Sequence, residues 1–165
     1  MSIFRPKEKI PRFTFFNPKQ YKDRGFKAVF IDIDNTITLP NVGDLTLEAK
    51  MFLDDIKSVG LIPVIFSNNH YFRVKKFVDN YDVKWTFWAL KPLPFAYWIQ
   101  CIRLGVKPSQ TIVIGDQLLT DVLGANLSGC YGIYSKRLSV NDIPTTARNR
   151  KIENFIWRNI LHEEV

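Results

Sequence analysis

Two aspartates separated by one residue stand at the end of a short apolar run. Residues 28–33 are apolar except for Asp32, and Asp34 follows directly. Such a run is typical of a strand buried on both faces of a parallel sheet. Side chains two residues apart on a strand face the same way, so the two carboxylates would lie about 7 Å apart and repel each other. A hard cation such as Mg²⁺ would relieve that repulsion, whereas the alternative is a polar strand end followed by an Asp-Asn turn.

Polar residues also follow the next two predicted strands. Residues 62–66 predict a strand that ends in Ser67 and Asn68, a pair that suits either a phosphate oxygen or a helix N-cap. Residues 83–90 predict a third strand, and Lys91 follows it directly. Pro92 is predicted to begin the next helix. Lys91 could place its ammonium among the carboxylates and a substrate phosphate, or it could be a solvated lysine.

A second acidic strand end follows residues 111–115. Asp116 lies at the predicted strand tip, and Asp121 lies in the first turns of the following helix. Asp116 could bind a metal ion and Asp121 could orient Lys91, although Asp116 or Thr120 could instead cap the helix. Because ligands of open α/β sheets bind beyond the carboxyl ends of the strands, these positions are candidates for one site.

Segments of helical periodicity separate the predicted strands. One helix is predicted between the first two strands from five apolar residues: Leu45, Ala49, Phe52, Ile56 and Val59. The next is predicted to pack through four residues and to leave Arg73, Lys75 and Lys76 outside: Tyr71, Val74, Phe77 and Val78. Loops are predicted at 39–44 and 135–145, and a short edge strand at 130–133. A C-terminal helix is predicted from Ile152, Phe155, Ile156 and Ile160. This alternation predicts an α/β doubly wound domain with a mostly parallel, Rossmann-like sheet.

Composition limits the possible partners. The chain has 165 residues, a net charge of +7 and 46% hydrophobic residues, so it fits one domain with an attraction for anions. Those anions could be phosphorylated small molecules, nucleic acid or an acidic membrane surface. Cys101 and Cys130 support neither a disulfide framework nor a zinc site, and we expect buried reduced thiols. No apolar run is long enough to span a bilayer, and the first residues lack a signal-peptide core, so we expect a cytoplasmic protein.

The N-terminal residues mix basic and aromatic side chains with three prolines. We therefore expect residues 1–25 to form an arm before a single domain at residues 26–165. Phe13, Phe15 and Phe16 could meet a lipid headgroup interface or stack on nucleic acid. The alternative is that the arm packs its phenylalanines on the domain and leaves its lysines in water.

Four ordered motifs resemble those of the haloacid dehalogenase (HAD) superfamily, specifically its subfamily IIIA phosphatases. The motifs are Asp32-Ile-Asp34-Asn-Thr36, Ser67-Asn68-Asn69, Lys91-Pro92 and Gly115-Asp116 with Asp121. The resemblance covers about residues 26–134. The amino-acid sequences of the second and fourth motifs are most similar to those of the bacterial branch related to mitochondrial phosphatidylglycerophosphate phosphatases.

The resemblance implies a role for each motif residue. Asp32 would attack phosphorus and become an aspartyl-phosphate, and Asp34 would serve as general acid and then as general base. Mg²⁺ would be held by the carboxylates of Asp32 and Asp116 and by the backbone carbonyl of Asp34. Phosphoryl oxygens would be bound by Ser67, Asn68 and Lys91, with Asp121 standing behind Lys91.

Motif spacing leaves no room for a cap domain. Only 32 residues separate Asp34 from Ser67 and 23 separate Ser67 from Lys91, and one helix and one strand use most of each interval. Capless members of the superfamily resemble enzymes whose site is open to large substrates. The leading hypothesis is a phosphatase of phosphatidylglycerophosphate, cytoplasmic and peripheral on the inner face of the membrane. The alternatives are the same chemistry on nucleic-acid ends, phosphoproteins or metabolites, and a non-catalytic module that binds RNA or the ribosome.

Overall fold

The sheet has six strands, all parallel, in the order β1-β6-β5-β2-β3-β4. The computed structural model describes residues 2–40, 42–140 and 144–163. The strands are β1 (Glu8–Ile10), β2 (Ala28–Ile31), β3 (Ile62–Phe66), β4 (Lys84–Thr86), β5 (Thr111–Gly115) and β6 (Tyr131–Ser135). The predicted α/β class with a parallel sheet is confirmed.

Six α-helices cover the two faces of the sheet within the described residues. They are α1 (Pro18–Asp23), α2 (Leu47–Ser58), α3 (Tyr71–Val78), α4 (Pro94–Leu104), α5 (Leu123–Ser128) and α6 (Pro144–Ile156). Short 3-10 turns occupy Phe13–Phe15 and Pro108–Gln110, and π-helical turns occupy Leu118–Val122 and Trp157–Leu161. Thr46 caps α2 by accepting a hydrogen bond from the Ala49 amide at 3.2 Å.

The core lies on both faces of β2, as its uninterrupted apolar sequence predicts. Val29 and Ile31 pack in one cluster with residues of α2 and α3, whereas Ala28 and Phe30 pack in a second cluster with residues of α4 and α5. This alternation follows from the two-residue period of a strand. Cys101 and Cys130 are buried free thiols, as predicted.

The N-terminal residues contribute the edge strand of this sheet. Glu8 of β1 pairs with Ile133 of β6, and the chain then buries Phe13 and Phe16 while Phe15 remains exposed. The prediction that residues 130–133 form an edge strand is therefore wrong. β1 was not foreseen because three residues containing Glu8 and Lys9 carry too weak an apolar pattern to indicate a strand.

The region after β3 also differs from the prediction. Strand β4 ends at Thr86, and residues 87–93 form a loop in which the Ala89 amide donates to the Ser67 carbonyl at 3.0 Å. Helix α4 begins at Pro94, not at Pro92. Contacts of the loop with the end of β3 therefore override its aromatic, strand-like sequence.

The C-terminal helix presents a different face from the one predicted. Ile152, Phe155 and Ile160 are exposed, whereas Ile156 is buried as expected. Arg150 and Glu153 are buried instead, because their side chains bind groups at the end of β5 and in the turn that follows it. The predicted loops at 39–44 and 135–145 include Asn41 and residues 141–143, which lie outside the described residues.

Two further features bear on function. Across the described part of the chain, the intervals from β2 to β3 and from β3 to β4 each hold one helix, and no separate cap is evident. In the same residues, no helix combines the length and apolar character needed to cross a membrane.

Candidate active site

The site lies where three adjacent strands end. Ile31 of β2 pairs with Ile114 of β5 on one side and with Ile65 of β3 on the other. The Asp32 amide donates to the Ile114 carbonyl at 3.0 Å, so the chain leaves β2 in register with β5. The order of the strands reverses at β2, because β3 lies on one side of it and β5 lies on the other. Ligands of open α/β sheets bind at such a switch point.

Lys91 joins two aspartates at the bottom of this site. Its Nζ lies 2.6 Å from Oδ1 of Asp32 and 2.7 Å from Oδ1 of Asp121, and all three side chains are buried. Burial opposes the charge of Lys91, but the carboxylates of Asp121 and Asp32 outweigh it and raise the lysine pKa. Lys91 is therefore a fixed ammonium at this position, as one of the two sequence-based readings expected.

Asp121 reaches Lys91 because the strand before it ends in glycine. A Cβ at Gly115 would stand 2.1 Å from Cγ of Asp121, which no side chain could tolerate. The other carboxylate oxygen of Asp121 accepts hydrogen bonds from the Gln117 amide at 3.2 Å and from the Thr120 hydroxyl at 3.3 Å. Gly115 thus provides the space in which Asp121 is held.

Asp116 completes a group of three buried carboxylates. Asp32, Asp116 and Asp121 each offer an oxygen, and these atoms all lie within 4.8 Å of one another. Thr36 donates to Oδ1 of Asp116 at 3.2 Å, and Arg150 pairs with Oδ2. Three acidic oxygens this close, in a buried place, are a donor set that suits a divalent cation.

Burial changes the acidity of this group. It raises the pKa of Asp32 to about 6, although the ammonium of Lys91 acts in the opposite direction. Burial also raises the pKa of Asp116 against the opposing charge of Arg150. The negative charge of the three carboxylates is therefore incompletely balanced by the two cations, which is the electrostatic condition that favours binding of a divalent metal ion.

Asp34 points to another part of the site. Its Oδ2 accepts a hydrogen bond from Asn69 at 2.7 Å, and its Oδ1 pairs with Arg73 at 2.9 Å. The prediction that Arg73 lies on the outside of α3 is wrong, because its guanidinium reaches back over the end of the sheet. His70 caps α3 by accepting from the Arg73 amide at 3.4 Å, which sets Arg73 in the first turn beside the site.

Asn68 holds the backbone of Lys91 from both sides. Its Oδ1 accepts from the Lys91 amide at 2.8 Å, and its Nδ2 donates to the Lys91 carbonyl at 3.1 Å. Ser67 accepts a hydrogen bond from the Asn69 amide at 3.1 Å. The side chains border a cleft of about 280 Å³, lined by Asp32, Asp34, Ser67, Asn68, Asn69, Lys91, Gln117, Thr120, Thr146 and Asn149.

Comparison with known proteins gives the family. The probable phosphatase YqeG of Bacillus subtilis is 31% identical over 154 residues, which span 93% of this chain and 90% of that protein. The chain belongs to the HAD-like hydrolases. Mitochondrial phosphatidylglycerophosphatase GEP4 of Saccharomyces cerevisiae is 26% identical, over 94% of this chain and 90% of that protein. These relatives place it among the subfamily IIIA phosphatases, and it is an enzyme of the HAD phosphatase type.

Two further comparisons concern a part of the sequence and the fold. The HAD-hydrolase-like family model matches residues 89–137, which include Lys91, Asp116 and Asp121. The cobalt-bound deoxy-D-mannose-octulosonate 8-phosphate phosphatase of Haemophilus influenzae shares the fold. Its TM-score is 0.55 at 16% identity, over 79% of this chain and 76% of that chain.

Three side chains of this HAD-like hydrolase site were not found by sequence reasoning. Arg73 comes from a helix face predicted to be exposed, Arg150 belongs to a helix predicted from its apolar residues alone, and Asn69 has no predicted role beyond its place in a motif. A signal for Arg150 exists, because Arg150 and Glu153 are three residues apart and interrupt the apolar face of α6. The spacing of Arg150 and Glu153 does not indicate which strand end the two side chains contact.

Proposed function

We propose that this HAD-type phosphatase hydrolyses a phosphomonoester through an aspartyl-phosphate on Asp32, with Mg²⁺ as cofactor. The observation that carries the proposal is the placement of Lys91 between Asp32 and Asp121, beside Asp116 and at the bottom of an open cleft. A structural ion pair would not require a third buried carboxylate, that of Asp116, within 4.8 Å of the two that Lys91 joins.

In the first step, an oxygen of Asp32 attacks phosphorus and the bond from phosphorus to the ester oxygen breaks. Asp34 supplies the proton that the leaving oxygen takes up. An ammonium has three N–H donors, and two of those of Lys91 meet Asp32 and Asp121. We assign the third donor to a phosphoryl oxygen, together with the Ser67 hydroxyl.

In the second step, water attacks the aspartyl-phosphate and loses a proton to Asp34. The bond between phosphorus and Asp32 breaks, which releases inorganic phosphate and restores the carboxylate. A bound divalent ion supplies neutralisation of the negative charge on the transferring group. We assign its ligands to the carboxylates of Asp32 and Asp116 and the carbonyl of Asp34, with Asp121 holding Lys91 in place.

We infer that the substrate is phosphatidylglycerophosphate. The name of the yeast relative, the cleft without a cap and the net charge of +7 support a phosphate carried on a large, anionic substrate. An open cleft can reach a phosphate that remains attached to a surface, whereas an enclosed site would select a free metabolite.

The test is release of phosphate from a panel of esters in the presence of Mg²⁺. The panel contains phosphatidylglycerophosphate, 5′- and 3′-phosphorylated oligonucleotides and phosphosugars, and Asp32→Asn serves as the inactive control. We expect the lipid to be hydrolysed at least tenfold faster than the others and Asp32→Asn to fold without turnover. Equal slow rates on all esters would remove the lipid assignment, and an active Asp32→Asn would remove the mechanism.

A further inference from the structure

Exposed apolar side chains cluster beside the cleft. We call this surface the aromatic rim and define it as Tyr71, Phe72, Phe87, Trp88 and Leu90. Ring centroids are 5.4 Å apart for Tyr71 and Phe72, 5.3 Å for Tyr71 and Phe87, and 6.4 Å for Phe87 and Trp88. Phe72 is 77% exposed, and Trp88 and Leu90 are each 64% exposed. A contiguous apolar surface of this kind marks a place where the protein meets a partner.

The backbone of the rim is strained so that its side chains point outward. Trp88 has φ +42° and Leu90 has φ +50°, a left-handed region that bulky residues rarely adopt. Between them Ala89 is fully buried. The Trp88 amide donates to the Asn69 carbonyl at 2.9 Å, which holds the loop in this form. The two strained residues are the ones exposed to solvent, and backbone strain of this kind is concentrated at functional sites.

Charge around the rim identifies the kind of partner. Residues 67–78 carry Tyr71 and Phe72 and contain three Lys or Arg, and residues 87–93 carry the rest of the rim; neither stretch contains an Asp or Glu. Lys75 and Lys76 of the first stretch are exposed. Lys75 also lies over the ring of Tyr71, with its Nζ 5.8 Å from the centroid. The partner is therefore anionic.

We propose that the aromatic rim docks on an anionic phospholipid bilayer. Trp and Tyr prefer the level of the headgroups, and clustered Lys and Arg add attraction to acidic lipids. Nucleic acid would also meet aromatic and basic groups, but Leu90 has no ring on which a base could stack. An aliphatic side chain held outward by a strained backbone suits insertion among acyl chains.

Docking at the rim would place the cleft at the surface of the membrane. Asn69 accepts the hydrogen bond of the Trp88 amide through its carbonyl, and its side chain donates to Asp34 at 2.7 Å. Asn69, in the loop after β3, thus links the rim to the proposed general acid in the loop after β2. This consequence rests on the proposed function, because it makes a lipid-borne phosphate the group that enters the cleft.

The experiment compares vesicle binding of the wild type and a Trp88→Asn/Leu90→Asn double variant. Asn tolerates left-handed backbone, so the double variant keeps the loop while it loses the apolar side chains. Phe15→Asn is the matched control, because Phe15 is 67% exposed and follows β1 at the opposite edge of the sheet. Vesicles of phosphatidylglycerol with phosphatidylcholine are compared with pure phosphatidylcholine by co-sedimentation, and hydrolysis of p-nitrophenyl phosphate is measured in parallel.

We expect the wild type and Phe15→Asn to sediment with the anionic vesicles. The double variant should bind them at least about tenfold more weakly. Turnover of the water-soluble ester should stay within about twofold in all three. The proposal is overturned if the wild type ignores anionic vesicles, if Phe15→Asn binds as weakly as the double variant, or if the double variant only converts a dimer to a monomer. Vesicle binding without hydrolysis of any phosphate ester would instead overturn the proposed function and leave the docking surface standing.

Discussion

Arg150 donates hydrogen bonds to both the carboxylate and the backbone carbonyl of Asp116. The same guanidinium pairs with Glu153 at 2.9 Å, and Glu153 accepts a hydrogen bond from the Leu119 amide at 3.0 Å. Helix α6 therefore fixes the turn that follows β5, although it lies far along the chain from Asp116. The cation of Arg150 also offsets part of the negative charge of the three clustered aspartates.

Replacing Arg150 with Met should destabilise the metal-free protein. The variant leaves the buried carboxylates of Asp116 and Glu153 without this cation, and breaking a buried pair on one side costs about 3 kcal/mol. Saturating Mg²⁺ should recover much of that loss, because it replaces the missing positive charge. Urea unfolding with and without Mg²⁺ measures both effects. Arg148→Met, at an exposed position on the same helix, should change stability by less than about 0.5 kcal/mol.

Lys91→Met should remove catalysis and weaken the fold together. It leaves Asp32 and Asp121 buried without their shared ammonium, so we expect a loss of about 3 kcal/mol in the free energy of unfolding. The rate of phosphate release should fall by about a hundredfold or more, since the donor to the phosphoryl oxygen is gone. Lys107→Met, which changes an exposed lysine, should retain full activity. A Lys91→Met enzyme of normal rate would show that the ammonium is structural only.

Gly115→Ala should displace Asp121. The added Cβ would lie 2.1 Å from Cγ of Asp121, a buried side chain that is hydrogen-bonded through both carboxylate oxygens. We expect a loss of about 1–3 kcal/mol in stability, as for an overpacked core, together with a large loss of turnover. Gly43→Ala is a suitable comparison, because the nearest atoms there belong to the flexible side chain of Lys76. Equal effects of the two substitutions would contradict the role assigned to Gly115.

Arg73→Gln should lower kcat more than it raises KM. Arg73 holds one oxygen of Asp34 while Asn69 holds the other, so the variant lets the proposed general acid rotate away from the leaving oxygen. We expect about a tenfold decrease in kcat, partial rescue by Arg73→Lys, and a changed pH profile. Lys75→Gln, on the exposed side of α3, controls for the loss of a charge. A pure increase in KM would indicate instead that Arg73 binds substrate.

The metal-free protein should lose stability as the pH rises from about 4 to about 6. Burial raises the pKa of Asp32 from 3.8 to about 6, so in this window the folded state binds more protons than the unfolded state. The contribution of Asp32 to stability is therefore complete below about pH 4, and it is lost as the pH rises through the folded-state pKa of about 6. Relative to Asp32→Asn, the wild type should lose stability across the window.

Saturating Mg²⁺ should remove that decline, because a bound divalent ion stabilises the charged carboxylates. Urea unfolding at several pH values, with chelator or with Mg²⁺, measures the difference. A decline of the same size with and without Mg²⁺ would contradict binding of the ion at this aspartate group.

The central part of the fold could be predicted from local patterns. The apolar runs that became β2, β3 and β5 are buried on both faces, and a polar residue follows each of them because the strand ends at the edge of the sheet where the helices leave it. The aspartates Asp32, Asp116 and Asp121 follow from the same pattern. Their meeting was expected because parallel strands bring all their carboxyl ends to one edge.

The sequence by itself therefore determined that the central strands end at one edge of the sheet and which residues gather there. Both depend on short-range periodicity. Only the tertiary structure decided which side chains arrive from elsewhere. Arg150 reaches Asp116 across 34 positions of the chain, Arg73 turns inward from a helix that is basic on its outside, and β1 joins the sheet beside β6. Each depends on how a helix or a strand packs against a distant one, and local periodicity carries no record of that contact.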